Sequence, residues 1–373
     1  HMCAECHTTD LRKGYDAAAD RFRTTWSELG VGCEGCHGSG GGHVTWARSG
    51  ADRADALKGF ASVAATRPAP DWAPDPTTGS PASGVARPAG DEVETCARCH
   101  SRRGQIGIDW RPGHPLAETH SPVSLSVGLF EDDGQMKDEV FNDQTFKQSL
   151  MYRKGVVCSD CHDPHSGKVR AEGSVVCSQC HQPERFESTA HTGHTPGPGK
   201  PDCIGCHMPA KTYMQVDRRH DHSFRIPRPD LSATIGVPNP CSACHADRPA
   251  SWAAEAVARW HGPVRKGYQS YAMTFHAARA GDAAAREALQ RFALDAQVPA
   301  LARATALDEL AGWPSAASDA AAVKGLSDTD PVVRAAAVRR LEGQPSDRRR
   351  AALPLLRDTV RLVRIAAGYL LAD

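Results

Sequence analysis

All 14 cysteines of this 373-residue chain fall into seven C-x-x-C pairs, and a histidine directly follows every pair. The pairs are Cys3/Cys6, Cys33/Cys36, Cys96/Cys99, Cys158/Cys161, Cys177/Cys180, Cys203/Cys206 and Cys241/Cys244; the adjoining histidines are His7, His37, His100, His162, His181, His207 and His245. C-x-x-C-H is the attachment signature of c-type haem: two thiols form thioethers to the porphyrin and the next imidazole becomes the proximal iron ligand. A zinc site predicts pairs of pairs with differently spaced histidines, and a redox dithiol predicts one copy beside a βαβ pattern. A disulfide framework does not demand a histidine after every second cysteine. Seven covalently attached haems c are therefore expected. Covalent attachment of this kind takes place outside the bacterial cytoplasm, so a periplasmic or extracellular location is expected too.

The motifs constrain the fold. They start 30, 63, 62, 19, 26 and 38 residues apart and end by residue 245, so little protein serves each cofactor. The porphyrins must supply much of the apolar interior, and the protein between them should be short helices and long loops. Residues 67–90 hold six prolines and three glycines and read as a linker or surface loop. They separate a two-haem segment, 1–66, from a five-haem segment, 91–247. Beyond 247 the cysteines stop, and Ala, Leu and Arg dominate. "ARATALDEL", "VRAAAVRRL" and "VRIAAGYLL" align on Arg303, Arg334 and Arg364, at steps of 31 and 30 residues. That period predicts stacked helical pairs, a HEAT-like α-solenoid over 248–373. The expected fold class is mainly α, a haem-packed cytochrome region followed by that solenoid. No apolar run approaches a membrane span. The chain opens abruptly on a motif and ends on a repeat, as expected of a processed or truncated chain; His1-Met2 has the look of a cloning scar.

Formal net charge is zero, which gives no basic footprint for nucleic acid. With about 14 propionates against about +7 from ferric bis-histidine centres, the loaded protein carries about −7.

Eleven of the 18 histidines lie outside the motifs. His43, His114, His120, His165, His191, His194 and His222 are the candidate second ligands, which would make the haems six-coordinate and suited to electron transfer. His165 follows His162 by three residues. A chain that short cannot pass around a macrocycle, so His165 should ligate a different haem. His43, six residues after His37 across "GSGGG", meets the same obstacle. His191 and His194 should serve two haems. His220 and His222 should supply one ligand between them, with His222 favoured. His261 and His276 fall in the solenoid and read as structural, and Met2, Met136, Met151 and Met214 as weaker ligands; Met208 directly follows His207 and cannot easily reach the opposite face of the same haem.

The stretches "CAECHTTDLRKGYDAA", "GVGCEGCHGSGGGHVTWA", "MYRKGVVCSDCHDPHSG" and "CIGCHMPAKTYMQVDRRHDHSFRIPRPDLS" resemble multihaem c-type cytochromes related to the tetrahaem and octahaem cytochromes, of doubled C-x-x-C-H type, that continue into HEAT or tetratricopeptide repeats. The resemblance covers most of 1–250 and implies haem-binding electron transfer with redox protein partners. His43, His120, His165, His191, His194 and His222 match histidine positions that recur there. Members usually carry more sequence at both ends. An electron carrier between periplasmic or surface partners is the leading expectation, with self-association into a cytochrome filament as a variant. The alternative is a reductase or oxidase of a small nitrogen or sulfur compound at an open-site haem, with Lys211, Arg218 and Arg219 as nearby cations.

Overall fold

A computed structural model of the chain describes residues 2–50, 57–60, 72–82, 90–265 and 267–372. The fold is mainly α: short helices joined by loops and two-stranded hairpins up to about residue 245, then longer helices to the end. Of the Pro/Gly-rich stretch, 67–71 and 83–89 lie outside the described residues. Residues 72–82 form a hairpin, Ala73–Pro74 against Pro81–Ala82, whose turn is held by a hydrogen bond from the Gln182 N–H to the Gly79 carbonyl at 3.0 Å.

The helices from Ala272–Arg279 to Arg361–Ala372 pack on helices one or two places away in the chain. Ala300–Glu309 packs on Pro331–Arg340, which packs on Arg361–Ala372. Small side chains permit the close approach: a Cβ at Gly325 would stand 3.0 Å from that of Ala337. The Arg repeat has a structural cause. Arg303 pairs with Asp328, and Arg334 grips Asp358 through two nitrogens at 2.7 and 2.8 Å. Arg334 also donates to the Asp328 carbonyl at 2.8 Å, and Arg364 to the Asp358 carbonyl at 2.7 Å. Arg334 and Arg364 thus clamp the loop before their own helix, and Arg303 and Arg334 reach the loop of the next repeat. "DTDP" starts a helix: Asp330 caps the Val332 N–H at 2.9 Å and Pro331 takes the first turn.

Asp358 has a second role, accepting from the Val360 N–H at 2.8 Å. Burial alone would raise its carboxyl, but the Arg334 guanidinium and that N–H outweigh it and hold it below the ordinary carboxylate range. Its contribution to stability is therefore full above about pH 4, the unfolded value, and fades as pH falls through the depressed folded value. Asp358→Ala should cost about 2 kcal/mol, read by urea denaturation at pH 7, and the deficit should shrink in acid. An equal deficit at pH 3 would show that the ion pair is not its source.

The largest apolar cluster does not stop at residue 247. It joins Leu289, Leu307, Leu310, Val333 and Leu341 to Leu125, Phe130, Met136 and Val140. The Leu125 N–H donates to Thr305 Oγ1 at 2.9 Å, which pins the 121–140 loop onto the helices. Among the described residues, no apolar cluster includes a side chain before Val93.

Candidate haem-binding site

A C-x-x-C-H sequence fits one helical turn, because positions i, i+3 and i+4 share a face. Helices Met2–His7, Gly90–His100 and Cys203–His207 each end on the motif histidine. At the second, fifth and seventh motifs the histidine N–H closes the turn on the first cysteine carbonyl, at 2.9 Å in each case. Side chains just upstream start several of these turns. Asp202 accepts from the Gly205 N–H at 2.6 Å, and Asn239 from the Cys241 N–H at 3.0 Å. The fourth motif differs: helix Cys158–Cys161 stops before His162, which is extended and pairs in a short hairpin with Val169.

The seventh motif is wound more tightly than the others. The seventh motif is wound as a 3-10 turn, Pro240–Ala243, that stops one residue short of Cys244. Cys244 stands at the C-cap with φ −109°, and its N–H donates to the Cys241 carbonyl at 3.2 Å. The cause is local: Asn239 caps the Cys241 and Ser242 N–H groups and Pro240 takes the first position, which tightens the turn. Residues three apart still align in such a turn, so Cys241 and Cys244 remain on one side. The Cys244 side chain is nevertheless exposed, as are Cys3, Cys33 and Cys36, whereas the other ten motif cysteines are partly covered by protein.

Four of the seven motif histidines face a second imidazole across a constant gap. His37 and His165 have ring centroids 6.1 Å apart with planes at 19°. His162 and His222 stand 6.3 Å apart at 23°, His207 and His191 6.1 Å at 19°, and His245 and His194 6.2 Å at 27°. Direct ring stacking would be closer, as in the 4.4 Å between His43 and Phe60. A metal ion between two ring nitrogens explains the wider gap: two bonds of about 2 Å, plus roughly 1.1 Å from each nitrogen to its ring centre, place the centroids about 6 Å apart. The donor set therefore fits an iron porphyrin with axial imidazoles on both faces.

The rings are prepared as ligands. Burial pushes His37, His100, His162, His181, His191, His207 and His222 below the ordinary histidine value, which keeps them neutral with a lone pair to offer. Nδ1–H of His207 donates to the Arg225 carbonyl at 2.8 Å, that of His194 to Thr192 at 2.7 Å, and that of His222 to His220 at 2.9 Å. Such bonds fix the tautomer and leave Nε2 for a metal. His43 and His220 carry the same mark, donating at 2.7 Å to the carbonyls of Lys58 and Met208.

The other sequence candidates are placed differently. His120 is buried with both nitrogens engaged: Nε2–H donates to Glu5 Oε1 at 2.7 Å, and Nδ1 accepts from the Thr119 hydroxyl at 2.9 Å. Glu5 lies inside the first motif and also meets Arg103 at 3.3 Å. His114 lines a small cleft of about 160 Å³ beside Asp109 and Arg361. His43 stacks on Phe60, which also lies 5.3 Å from His37. For His7, His100 and His181, no second imidazole faces the ring among the described residues. Lys211 and Arg219 lie on one face of the hairpin Ala210–Tyr213/Asp217–His220. Arg219 is paired with Glu139 and Asp217, at 2.8 and 2.6 Å, and Arg218 lies opposite Thr212 on the other face.

Sequence reasoning missed the supports of the "AHTGH" segment. Gly193 ends helix Thr189–Thr192 with φ +68°, and a Cβ there would stand 2.3 Å from the Trp260 indole. Trp260 also meets His194 edge-on at 6.0 Å, while Nε2–H of His261 donates to the His191 carbonyl at 2.9 Å. A left-handed turn against Trp260 lets two histidines three residues apart face two different partners. His261 supports a ligand strand from the helical region, a role that spacing alone does not reveal. Gly193→Val should displace His191 and His194 together. We expect high-spin character at two haems in the ferric absorption and electron paramagnetic resonance spectra; an unaltered spectrum would show that the turn does not position them.

No known protein family matches the chain, and no curated protein does. Among solved structures it is similar to the crystal structure of the outer cell wall cytochrome OcwA, at 19% identity over 91% of this chain and 76% of that one, with a TM-score of 0.43. That score is too low to carry fold or function across, which leaves the question to the chain's own cysteines and histidines. Among the described residues, no helix is long and apolar enough to cross a membrane.

Proposed function

We propose that the chain is a seven-haem c-type cytochrome that relays electrons between redox proteins in the periplasm or outside the cell. The observation that carries this reading is the set of four motif histidines that each face a parallel imidazole at 6.1 to 6.3 Å. The 14 motif cysteines would hold the porphyrins, the exposed Cys3, Cys33, Cys36 and Cys244 included, and a porphyrin bonded to them would itself cover their sulfurs. The pairs His37/His165, His162/His222, His207/His191 and His245/His194 would hold four irons. When bound, haem supplies a one-electron Fe(III)/Fe(II) couple, and a second imidazole keeps its iron closed to small molecules. His43, His114 and His220 are the candidates to face His7, His100 and His181, and His120 would join them only by giving up its bond to Glu5. The helices of 248–373 are read as HEAT-like repeats that brace the ligand segments, as Trp260 and His261 do, and offer a surface to protein partners.

The absence of a facing ring at His7, His100 and His181, among the described residues, favours one second reading: catalysis on a small nitrogen or sulfur compound at one of those haems. A single measurement separates the two. The ferrous absorption spectrum is recorded before and after carbon monoxide, with haem counted as the pyridine adduct. A relay gives seven haems per chain and no carbon monoxide response. A response in one to three haems favours the catalytic reading. A response in four or more would show that at least one of the four pairs does not hold.

A further inference from the structure

The stretch "HDHSFR", residues 220–225, serves two candidate sites at once. His222 stands opposite His162 of the fourth motif. Three residues on, Arg225 and His207 of the sixth motif hold each other. His207 Nδ1–H donates to the Arg225 carbonyl at 2.8 Å, and the Arg225 N–H donates to the His207 carbonyl at 3.2 Å. The Asp221 N–H donates to the Pro209 carbonyl at 3.1 Å, so the stretch lies along 207–209. Between His222 and Arg225 the chain is strained. Phe224 has φ +46°, a left-handed conformation that is costly for a bulky side chain and persists only where the surroundings impose it. Its ring meets His222 edge-on, with 6.0 Å between centroids.

A buried ion network imposes it. Asp221, Ser223 and Arg225 alternate along the chain with His222 and Phe224, and all three are buried. Arg225 Nε–H donates to the Ser223 hydroxyl at 2.9 Å. That hydroxyl donates in turn to Asp221, which also accepts from the Ser223 N–H at 2.8 Å. Arg225 Nη1 reaches Asp133, on the 121–140 loop, at 3.0 Å. Asp133 is itself held: Gln135 Nε2 donates to its carboxylate at 2.8 Å, and the Tyr271 hydroxyl, from the helical region, donates to its carbonyl at 3.2 Å. Buried ion pairs add little net stability over apolar packing, because desolvation offsets most of the attraction. They do fix direction, since each charged group takes its partner along a hydrogen-bonding axis.

We propose that Arg225, Ser223, Asp221 and Asp133 are positioning residues that set the axial imidazoles of two haem sites together, His207 at the sixth motif and His222 at the fourth. The proposal rests on the haem reading above, and it gives these two sites one shared support. Arg225 anchors the carbonyl that fixes the tautomer and plane of His207, and the link from Asp221 to Ser223 holds the backbone on either side of His222. Loss of the guanidinium therefore frees both rings rather than one. The buried pair Arg340/Asp319, at 3.0 Å, joins two helices of the helical stack and is the comparison for a purely structural role.

Arg225→Leu in the full, haem-loaded chain tests it, because the change removes the guanidinium and leaves the carbonyl that His207 holds. All seven haems should stay attached by pyridine adduct. The low-spin electron paramagnetic resonance signal should change for two of them, about two sevenths of its intensity, as the rings leave their near-parallel pairings of 19° and 23°. In a Cys203→Ala/Cys206→Ala background the change should fall to one haem. Arg340→Leu should lower the urea midpoint and leave the haem signal as it is in the wild type. A change at none, at one or at more than two haems would overturn the proposal. So would an equal change from Arg340→Leu, or an effect on two haems that persists without the sixth-motif cysteines. Should Arg225→Leu fail to fold, Ser223→Ala, which removes only the hydroxyl between Asp221 and Arg225, is judged by the same count. Absence of covalent haem from the wild-type chain would instead refute the underlying reading.

Discussion

Replacing His165 with alanine should leave seven haems attached and turn one of them, the haem on Cys33 and Cys36, into a five-coordinate, high-spin form that binds carbon monoxide. His165 is exposed in a hairpin turn whose local bond is made by its backbone, the N–H donating to Asp163 at 3.2 Å, so removal of the ring should disturb little else. The affected haem is not the one held three residues away by His162, because His162 faces His222 instead. A combination of variants shows which haem responds. In a Cys33→Ala/Cys36→Ala background the His165→Ala change should have no spectral effect, since the haem it caps is gone; in the wild-type background it should shift about one seventh of the Soret intensity. Free imidazole added to the single variant should restore the low-spin spectrum. If the single variant stays low-spin, or its effect persists without the second haem, the His37/His165 assignment is lost.

The second large effect concerns folding. A chain produced without haem attachment should lose protease resistance over residues 2–82 and keep it over the helices of 250–372. Holding a residue in place costs about 1–2 kcal/mol of chain entropy, which burial must offset. The helical stack has its own interior, with Leu289, Leu307, Leu310 and Val363 fully buried. The first 82 residues contribute nothing to the apolar clusters among the described residues, and Phe22, Trp26, Leu29, Val31 and Val44 are exposed. Trypsin should therefore cut promptly at Arg12, Arg21 and Arg48 in the haem-free chain, leaving a resistant fragment that includes 250–372, while the loaded protein resists at all of them. Equal cleavage with and without haem would show that the cofactors are not the organising interior of the N-terminal segment.

Much of the candidate site was legible because it is local. A helical turn joins two sulfurs and an imidazole within five residues, so motif spacing alone identifies attachment points. The reach of three residues is enough to expect His165 at a neighbouring site, and its ring stands opposite His37. The Arg period was equally legible, since a helical stack that repeats its loop repeats the clamp on it. Less legible were residues whose role depends on distant chain. His261 carries no motif, yet it holds the His191 carbonyl. His120 has the look of a free ligand in sequence but spends both nitrogens on Glu5 and Thr119. The seventh motif winds as a 3-10 turn that ends at Cys244, because Asn239 and Pro240 upstream tighten the winding. The change of composition at residue 247 marks the end of the motifs but not of the core, because the 121–140 loop packs into the helices.

By itself the sequence determined the candidate attachment points, the mainly helical character and the pool of candidate ligand histidines, since these follow from chemistry confined to a few neighbouring residues. Tertiary structure alone decided which imidazole stands opposite which, that His222 and not His220 faces His162, and that the third motif packs against both the first and the fourth. The physical reason is that a second ligand and a neighbouring motif arrive from remote stretches of chain. Their positions are set by how hairpins, caps and the helical stack pack together, and no local pattern encodes that.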